Sequence, residues 1–260
     1  MSPCQSPITN NPTDAIDFHC HLLPNLDDGP ATLNESVEMA RALARAGYRQ
    51  VYCTPHLIKG VYDAGNDAVR NGTEELQLIL DREGIDLRLV PGREYYLDEF
   101  FLDYLKEPLP LGDTGLLLIE IPNAAPEKLV KNTLYRLQQK GFTPLIAHPE
   151  RCRLLEPKTV TSVQWKRFRG LFSRLPITLH QSEVTDPTLL LHLIDSGCQF
   201  QGNLGSFTGH YGEKVRHKAA KFLAAGIYTH FGSDLHSVQQ RDILCVERRL
   251  YSEAPLTPLS

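Results

Sequence analysis

The sequence predicts an α/β protein whose parallel strands roll into a β/α barrel, and three observations carry that prediction. Short, nearly continuous apolar runs alternate along the chain with longer segments of helical periodicity, the pattern of a parallel sheet covered on both faces. Seven or eight such strand–helix units within about 250 residues suit a closed barrel. Residue types that ligate metals collect at the C-terminal ends of the apolar runs, where barrel enzymes build their sites. An open doubly wound sheet is the alternative arrangement. Neither a linker nor a low-complexity tract interrupts the pattern. One catalytic domain over residues 15–260 is therefore expected, after a flexible, polar lead-in over residues 1–14.

The elements follow in order. "AIDF" (15–18) reads as the first strand. A helix over 33–46 enters through a Thr32–Glu35 capping box and is closed by Gly47. "QVYCT" (50–54) precedes a helical pattern near 66–83, and "DLRLV" (86–90) a short polar helical stretch near 98–106. "LLLIEI" (116–121) leads to Pro126, suited to a helix's first turn, and a helix reaching Lys140 before Gly141. "TPLIAH" (143–148) precedes a helical pattern around 158–174. "ITLH" (177–180), "CQFQGN" (198–203) and "IYTHFGSD" (227–234) each lie beside a further helical stretch.

Composition narrows the function classes. A net charge of −4 gives no electrostatic reason to expect nucleic acid. No run approaches the ~20 apolar residues of a membrane helix. The N-terminal "MSPCQSPITNNPTD" has neither the charged start nor the apolar core of a signal peptide. The cysteines (4, 20, 53, 152, 198 and 245) show no zinc-finger or CxxC spacing, so reduced thiols in the cytoplasm are expected. A Cys-x5-Arg phosphatase loop needs arginine six residues after cysteine. The residues found there are Asn10, Leu26, Lys59, Lys158, Leu204 and Tyr251, which excludes thiol-based phosphate chemistry.

The polar residues at the strand ends carry the functional signal. His19 and His21 stand at i and i+2 of an extended run and point the same way, so they can grip one ion. Asp28 follows them. "CTPH" brings His56, "PGRE" brings Glu94, "LLLIE" brings Glu120, and "LIAH" brings His148, with Glu150 and Arg151 just beyond. "THFGSD" brings Asp234, then His236 and Arg241. Five histidines and four carboxylates at one rim are electrostatically untenable without cations. The donor set suits zinc, manganese or iron, and nine ligands suit two or three ions.

"DFHCHLLPNLDDGP", "CTPH", "GRE", "LIEIP", "LIAHPER" and "GSDLH" resemble the signature blocks of the PHP (polymerase and histidinol phosphatase) superfamily. More narrowly, "LPNLDDG", "AHPER" and "GNLGSFTGHYG" (202–212) resemble the bacterial metal-dependent protein tyrosine phosphatases of capsule and exopolysaccharide operons. The resemblance spans most of residues 15–241 in order; Asn25 stands where that family often has glycine. It implies a distorted (β/α)7 barrel with two or three divalent ions, manganese first, iron or zinc otherwise. His19, His21, Glu94 and Asp234 would surround one ion, and Glu94, Glu120 and His148 a second. Asp28, His56 and His236 would hold the third. Arg151 and Arg241 match phosphate-holding positions, and His56 is a candidate general acid.

The implied chemistry is in-line hydrolysis of a phosphomonoester by water that the ions acidify. A phenol with a pKa near 10 leaves more readily than an alkoxide. The implied substrate is a phosphotyrosine-bearing protein, expected to be the flexible tail of a bacterial tyrosine kinase that controls polysaccharide synthesis. Histidinol phosphate or another small phosphoester is the alternative, and a metal-stabilised regulatory binding protein is the non-enzymatic one. Polymerase-associated nuclease function lacks an attached polymerase domain or basic tract. Among the other histidines, His192 and His217 read as surface residues and His230 as a hydrogen-bonded core group. His180 ends a strand and His210 lies in a glycine-rich loop; both read as ordinary polar residues, with cleft lining as the alternative. Tyr95 and Tyr96 read as packing residues, and Cys20 as a small buried one.

Overall fold

The computed structural model describes residues 15–156 and 188–245. The lead-in over 1–14, the helical pattern at 158–174 and the strand expected at 177–180, with His180, lie outside the described residues. The first strand, β1 (Ala15–Cys20), is followed by α1 (Leu33–Ala46). Thr32 caps that helix reciprocally with Glu35, and Gly47 closes it at φ 101°, as the sequence predicts. Then come β2 (Tyr48–Cys53), β3 (His56–Leu57), α2 (Asn66–Arg82), β4 (Arg88–Pro91) and β5 (Glu94–Tyr96). The polar helical stretch near 98–106 shortens to α3 (Phe101–Tyr104), because Pro108 and Pro110 follow and cannot donate to a helical ladder. After β6 (Leu116–Glu120) comes α4 (Glu127–Gln139), which starts just after Pro126. β7 (Thr143–Ala147), α5 (Leu189–Asp195), β8 (Gln199–Asn203), α6 (Leu204–Thr208), α7 (Glu213–Ala224) and β9 (His230–Gly232) complete the regular elements, with a 3₁₀ segment over Val238–Cys245.

All strand pairs are parallel, in two sheets ordered β1-β2-β4 and β3-β5-β6-β7-β8-β9. The sheets meet at two bends, Thr54–Pro55 between β2 and β3 and Gly92–Arg93 between β4 and β5. Hydrogen bonds carry the ladder through them: Gly92 N–H donates to the Cys53 carbonyl at 3.0 Å and Glu94 N–H to that of Pro55 at 3.2 Å. At the other margin, Asp234 N–H donates to the His19 carbonyl at 2.6 Å and His21 N–H to that of Leu235 at 3.0 Å. The last strand is thus tied back to the first, whereas an open doubly wound sheet would leave both as edges. The result is a curved, parallel-stranded wall of half-barrel form.

Side-chain alternation divides the core. Leu117, Ile119 and Ile146 join the large cluster beneath the helices. Leu116, Leu118, Leu145 and Ala147 join Tyr52, Val90 and Leu111 in a smaller cluster on the opposite strand face. On β1, Ile16 and Phe18 pack with the small cluster but Cys20 packs with the large one, across a register irregularity between Asp17 and Cys20. Polar residues begin at that break.

Candidate metal centre

The strand ends bring the sequence-predicted ligands together in three overlapping groups. One donor atom each from His19, His21, Glu94 and Asp234 lies within 4.8 Å of the others, and the same holds for His21, Asp28, His56 and His236, and for His56, Glu94 and Glu120. The first group is the one the family resemblance implies. The third expected group acquires His21. The second differs: His56 takes the place expected of His148, whose Nε2 faces the other oxygen of Glu94 at 3.0 Å. Glu94 causes this overlap. It is fully buried, and its Oε2 is surrounded by His56 Nδ1 (2.9 Å), His19 Nε2 (3.2 Å) and His21 Nε2 (3.3 Å).

Local backbone geometry aims these side chains. His148 (φ 31°) and Asp234 (φ 53°) occupy the left-handed region, uncommon for residues other than glycine and costing of order 1–3 kcal/mol each. Asn25, at φ 57°, shares that conformation, which accounts for a glycine being interchangeable there. Gly29 closes the aspartate pair where a Cβ would stand 2.7 Å from the His21 carbonyl oxygen. Gly232 permits β9 to approach β1, since a Cβ there would stand 2.5 Å from that of His19.

Partners outside the cluster set the histidine tautomers. Gln201 donates its amide nitrogen to the carbonyls of Gly202 (2.7 Å) and Gly232 (3.4 Å), turning Oε1 to accept from His19 Nδ1 at 2.9 Å. Asp27 accepts from His21 Nδ1 at 2.6 Å and from the backbone N–H groups of His56 and Gly29, each at 2.9 Å. Both Nδ1 atoms therefore carry protons, and the two Nε2 atoms, free to ligate once deprotonated, face each other at 3.0 Å. Two imidazole nitrogens ~2.1 Å from one ion, about 90° apart, would stand about 3.0 Å from each other. The donor set fits a divalent cation.

The electrostatics agree. Burial opposes charge on His19, but the carboxylates of Glu94 and Asp234 outweigh it and push its pKa up to about 9. Burial likewise opposes ionisation of Glu94 and Asp234, yet the surrounding imidazoles hold both well below the usual carboxylate range. Asp17, buried behind β1, is pushed up to about 6 by desolvation; it accepts from Ser233 N–H (2.8 Å) and His19 N–H (3.1 Å), bracing the β1–β9 closure.

The second oxygen of Asp234 faces away from the histidines. It accepts from Arg151 (2.5 Å), Asn203 Nδ2 (2.7 Å) and the Tyr211 hydroxyl (3.3 Å), and the Arg151 guanidinium lies over the Tyr211 ring at 4.5 Å. Arg151 thus reaches the cleft, a space of about 430 Å³ lined by Asp28, His56, Glu94, Glu120, His148, Asp234 and His236, among others. Arg241 does not. It is exposed on the 3₁₀ segment, where its neighbour Gln240 lines the cleft instead and accepts from His236 N–H at 2.9 Å.

Among the remaining residues singled out from sequence, His192 and His217 are exposed. His210 is exposed against Tyr211 rather than in the cleft wall. His230 is partly buried, bonded to Thr229 Oγ1 (2.9 Å). Tyr95 is a buried packing residue whose hydroxyl accepts from Leu109 N–H, Tyr96 is half-buried, and Cys20 is fully buried. Glu150 is buried too, taking Asn203 N–H and the Tyr228 hydroxyl. Sequence reasoning passed over Asp27, Gln201, Asn203 and Tyr211. "QGN" held a usable signal, since two polar side chains at i and i+2 of an apolar strand must find buried partners.

Residues 15–168 match the family model described as capsular polysaccharide synthesis, CpsB/CapC. The tyrosine-protein phosphatase YwqE of Bacillus subtilis is 33% identical over 248 residues, covering 92% of this chain and 87% of that protein. A crystal structure described as YwqE from B. subtilis and CpsB from Streptococcus pneumoniae, unique metal-dependent tyrosine phosphatases, superposes with a TM-score of 0.73. It is 31% identical and covers 92% of this chain and 87% of the other. Histidinol phosphate phosphatase from Lactococcus lactis shares the fold, with a TM-score of 0.50 at 11% identity and coverage of 95% of each chain.

Proposed function

The chain belongs to the CpsB/CapC capsular polysaccharide synthesis family, and from that premise we propose that it is a metal-dependent protein-tyrosine phosphatase that does not use cysteine. The observation that carries this reading is the buried Glu94 ringed by three imidazole nitrogens, set in an open cleft beside Arg151. The finer parts of the proposal are a distorted (β/α)7 barrel, two or three ions with manganese first, and a location in the cytoplasm. The substrate is the tail of a tyrosine kinase acting in capsule or exopolysaccharide synthesis. No helix among the described residues is long and apolar enough to cross a membrane.

His19, His21, Glu94 and Asp234 would hold one ion, Asp28, His56 and His236 another, and Glu120 and His148, through Glu94, a third. Bound there, divalent cations acidify water and neutralise phosphoryl oxygens. The chain supplies the rest. Arg151, 30% exposed at its side chain, turns from the back of Asp234 toward the cleft and offers its remaining guanidinium donors to a phosphoryl oxygen. Asn203 and Tyr211 keep Asp234 in place when it does. His56, partly exposed, faces Glu94 through Nδ1 and Asp28 through Nε2. As a ligand it has no proton to spare, so the departing phenolic oxygen takes its proton from water in the cleft, and His56 is a general acid only where it is not a ligand. Arg241 is a phosphate ligand only if its exposed side chain reaches back over Gln240.

The buried cysteines agree with a thiol-free mechanism. Burial pushes the thiols of Cys20, Cys53, Cys152 and Cys198 upward, Cys53 to about 12, away from nucleophilic thiolate. The test compares a phosphotyrosine peptide with histidinol phosphate under identical manganese loading, before and after EDTA. Chelation should abolish turnover, added manganese should restore it, and iodoacetamide should leave it intact. Preference for histidinol phosphate, despite its poorer alkoxide leaving group, would overturn the substrate assignment. Activity surviving complete metal removal would overturn the mechanism.

A further inference from the structure

The cleft is charged almost throughout, so the phenyl ring of an aryl phosphate has few places to rest. Its apolar lining comes from Ile58, Tyr62 and Tyr211. Tyr211 is already committed: its ring carries the Arg151 guanidinium, and its hydroxyl is bonded to Asp234. Ile58 and Tyr62 lie elsewhere, on a small hairpin that directly follows His56. The turn is built rather than loose. Tyr62 N–H donates to the Ile58 carbonyl at 2.8 Å, Ile58 N–H returns the bond at 3.1 Å, and Gly60 makes the reversal at φ 77°. Its outer side is fastened to α3 and the residue before it, because Lys59 N–H donates to the Tyr104 hydroxyl at 2.9 Å and its ammonium lies 3.9 Å over the Phe100 ring.

The orientation of Tyr62 is the informative point. Its ring lies within 12° of parallel to the His56 imidazole, with centroids 5.8 Å apart. It is partly exposed. A flat aromatic surface therefore continues outward from His56 toward solvent. We propose that the Ile58–Tyr62 hairpin is the aryl-binding wall of the cleft, with Tyr62 stacking on the substrate's phenol ring and so setting preference for aryl over alkyl phosphates. This rests on the phosphatase reading above and assigns the ring-binding half of the same cleft. A wall lying only along the ring also leaves the peptide on either side free of specific contacts, as a flexible tail requires.

Offset aromatic stacking changes affinity by about two- to tenfold. The test measures binding, so that it stands apart from catalysis: affinities of phenylphosphonate and methylphosphonate for the manganese-loaded protein, by calorimetry. Tyr62→Ala should reduce the phenyl-over-methyl affinity ratio by about two- to tenfold, with methylphosphonate affinity and manganese content unchanged. Tyr62→Phe should keep the ratio, because the ring and not the hydroxyl is used. An unchanged ratio in Tyr62→Ala, or equal loss of both ligands, overturns the proposal. Wild-type protein that binds both phosphonates but does not hydrolyse phosphotyrosine peptides would instead overturn the functional reading, and the ratio would still decide the role of the wall.

Discussion

Asp27→Asn is the substitution that separates a supporting carboxylate from a ligand. Asp27 offers two oxygens to three N–H donors: Oδ2 accepts from His21 Nδ1 and His56 N, and Oδ1 from Gly29 N. The neighbouring His21 charge overcomes burial and holds its carboxyl far below the usual range, so it is ionised at every working pH. Asparagine has the same shape but one acceptor, so its amide N–H must face at least one backbone or imidazole N–H. That juxtaposition costs about 1–3 kcal/mol. The 2.6 Å bond to His21 also loses its charge, and with it about half its strength. His21 has only Nε2 left to offer a cation, so the loss falls on the ion it would share with His19, Glu94 and Asp234. Manganese affinity should weaken about 10- to 100-fold, and the melting temperature should fall by about 2–12 °C. Competitive titration against a chelating dye measures the first, and scanning calorimetry of the metal-free protein the second. Turnover should recover in excess manganese, because no ligand has been removed. Affinity within twofold of wild type would refute the claim that Asp27 fixes the His21 tautomer.

The arginines and one histidine give two further expectations. Arg151→Ala should lower kcat/KM on a phosphotyrosine peptide by about 10- to 100-fold, the loss of charged hydrogen bonds, with normal metal content. Arg241→Ala should change it by less than Arg151→Ala, and the reverse order in steady-state kinetics would mean that the exposed residue moves into the cleft. His230, packed 4.3 Å from Phe18, has its pKa lowered by burial from 6.5 to about 4. The unfolded chain then binds the extra proton first, so this contribution to stability is complete above about pH 6.5 and declines as the pH falls toward 4. Urea midpoints measured across that window should fall less steeply for His230→Phe than for wild type, and parallel slopes would show that His230 does not take part.

What could be read from the sequence depended on how far apart the interacting residues lie. The α1 capping box is a contact across three residues, and both its ends were legible. The nine candidate ligands were legible because each follows or ends an apolar run, where one fold gathers such positions. Their supports were not. Asp17 braces Ser233, Gln201 orients His19, and Asn203 steadies Asp234 across the sheet, partnerships that no local pattern announces. Nor was it legible that the strands break at Thr54–Pro55 and Gly92–Arg93. Arg93 stands at the second break with its guanidinium buried against the carbonyls of His56 and Ala64 and the Asn66 side chain, although "GRE" suggested only a lead into Glu94. Arg241 stands seven residues beyond Asp234, a spacing that suggested the rim; the 3₁₀ segment there turns Gln240 inward and leaves the Arg241 side chain exposed.

The same supports explain how the chain tolerates its ligand cluster. Glu94 and Asp234 are buried, two imidazole nitrogens face each other at 3.0 Å, and His148 and Asp234 hold left-handed backbone conformations. Each feature opposes folding, and only part of that opposition is relieved by protons on the histidines. The β1–β9 closure must therefore hold the arrangement against its own repulsion. It does so with buried hydrogen bonds from Asp17 and between the His19–Asp234 and His21–Leu235 backbones. Because the cations bind this arrangement and not the unfolded chain, loading adds stability of about 2.7 kcal/mol at a hundredfold excess over Kd. Stability and activity thus meet at the same few residues. A substitution that loosens the closure should be rescued by metal, whereas one that alters only Arg151 or Tyr62 should not.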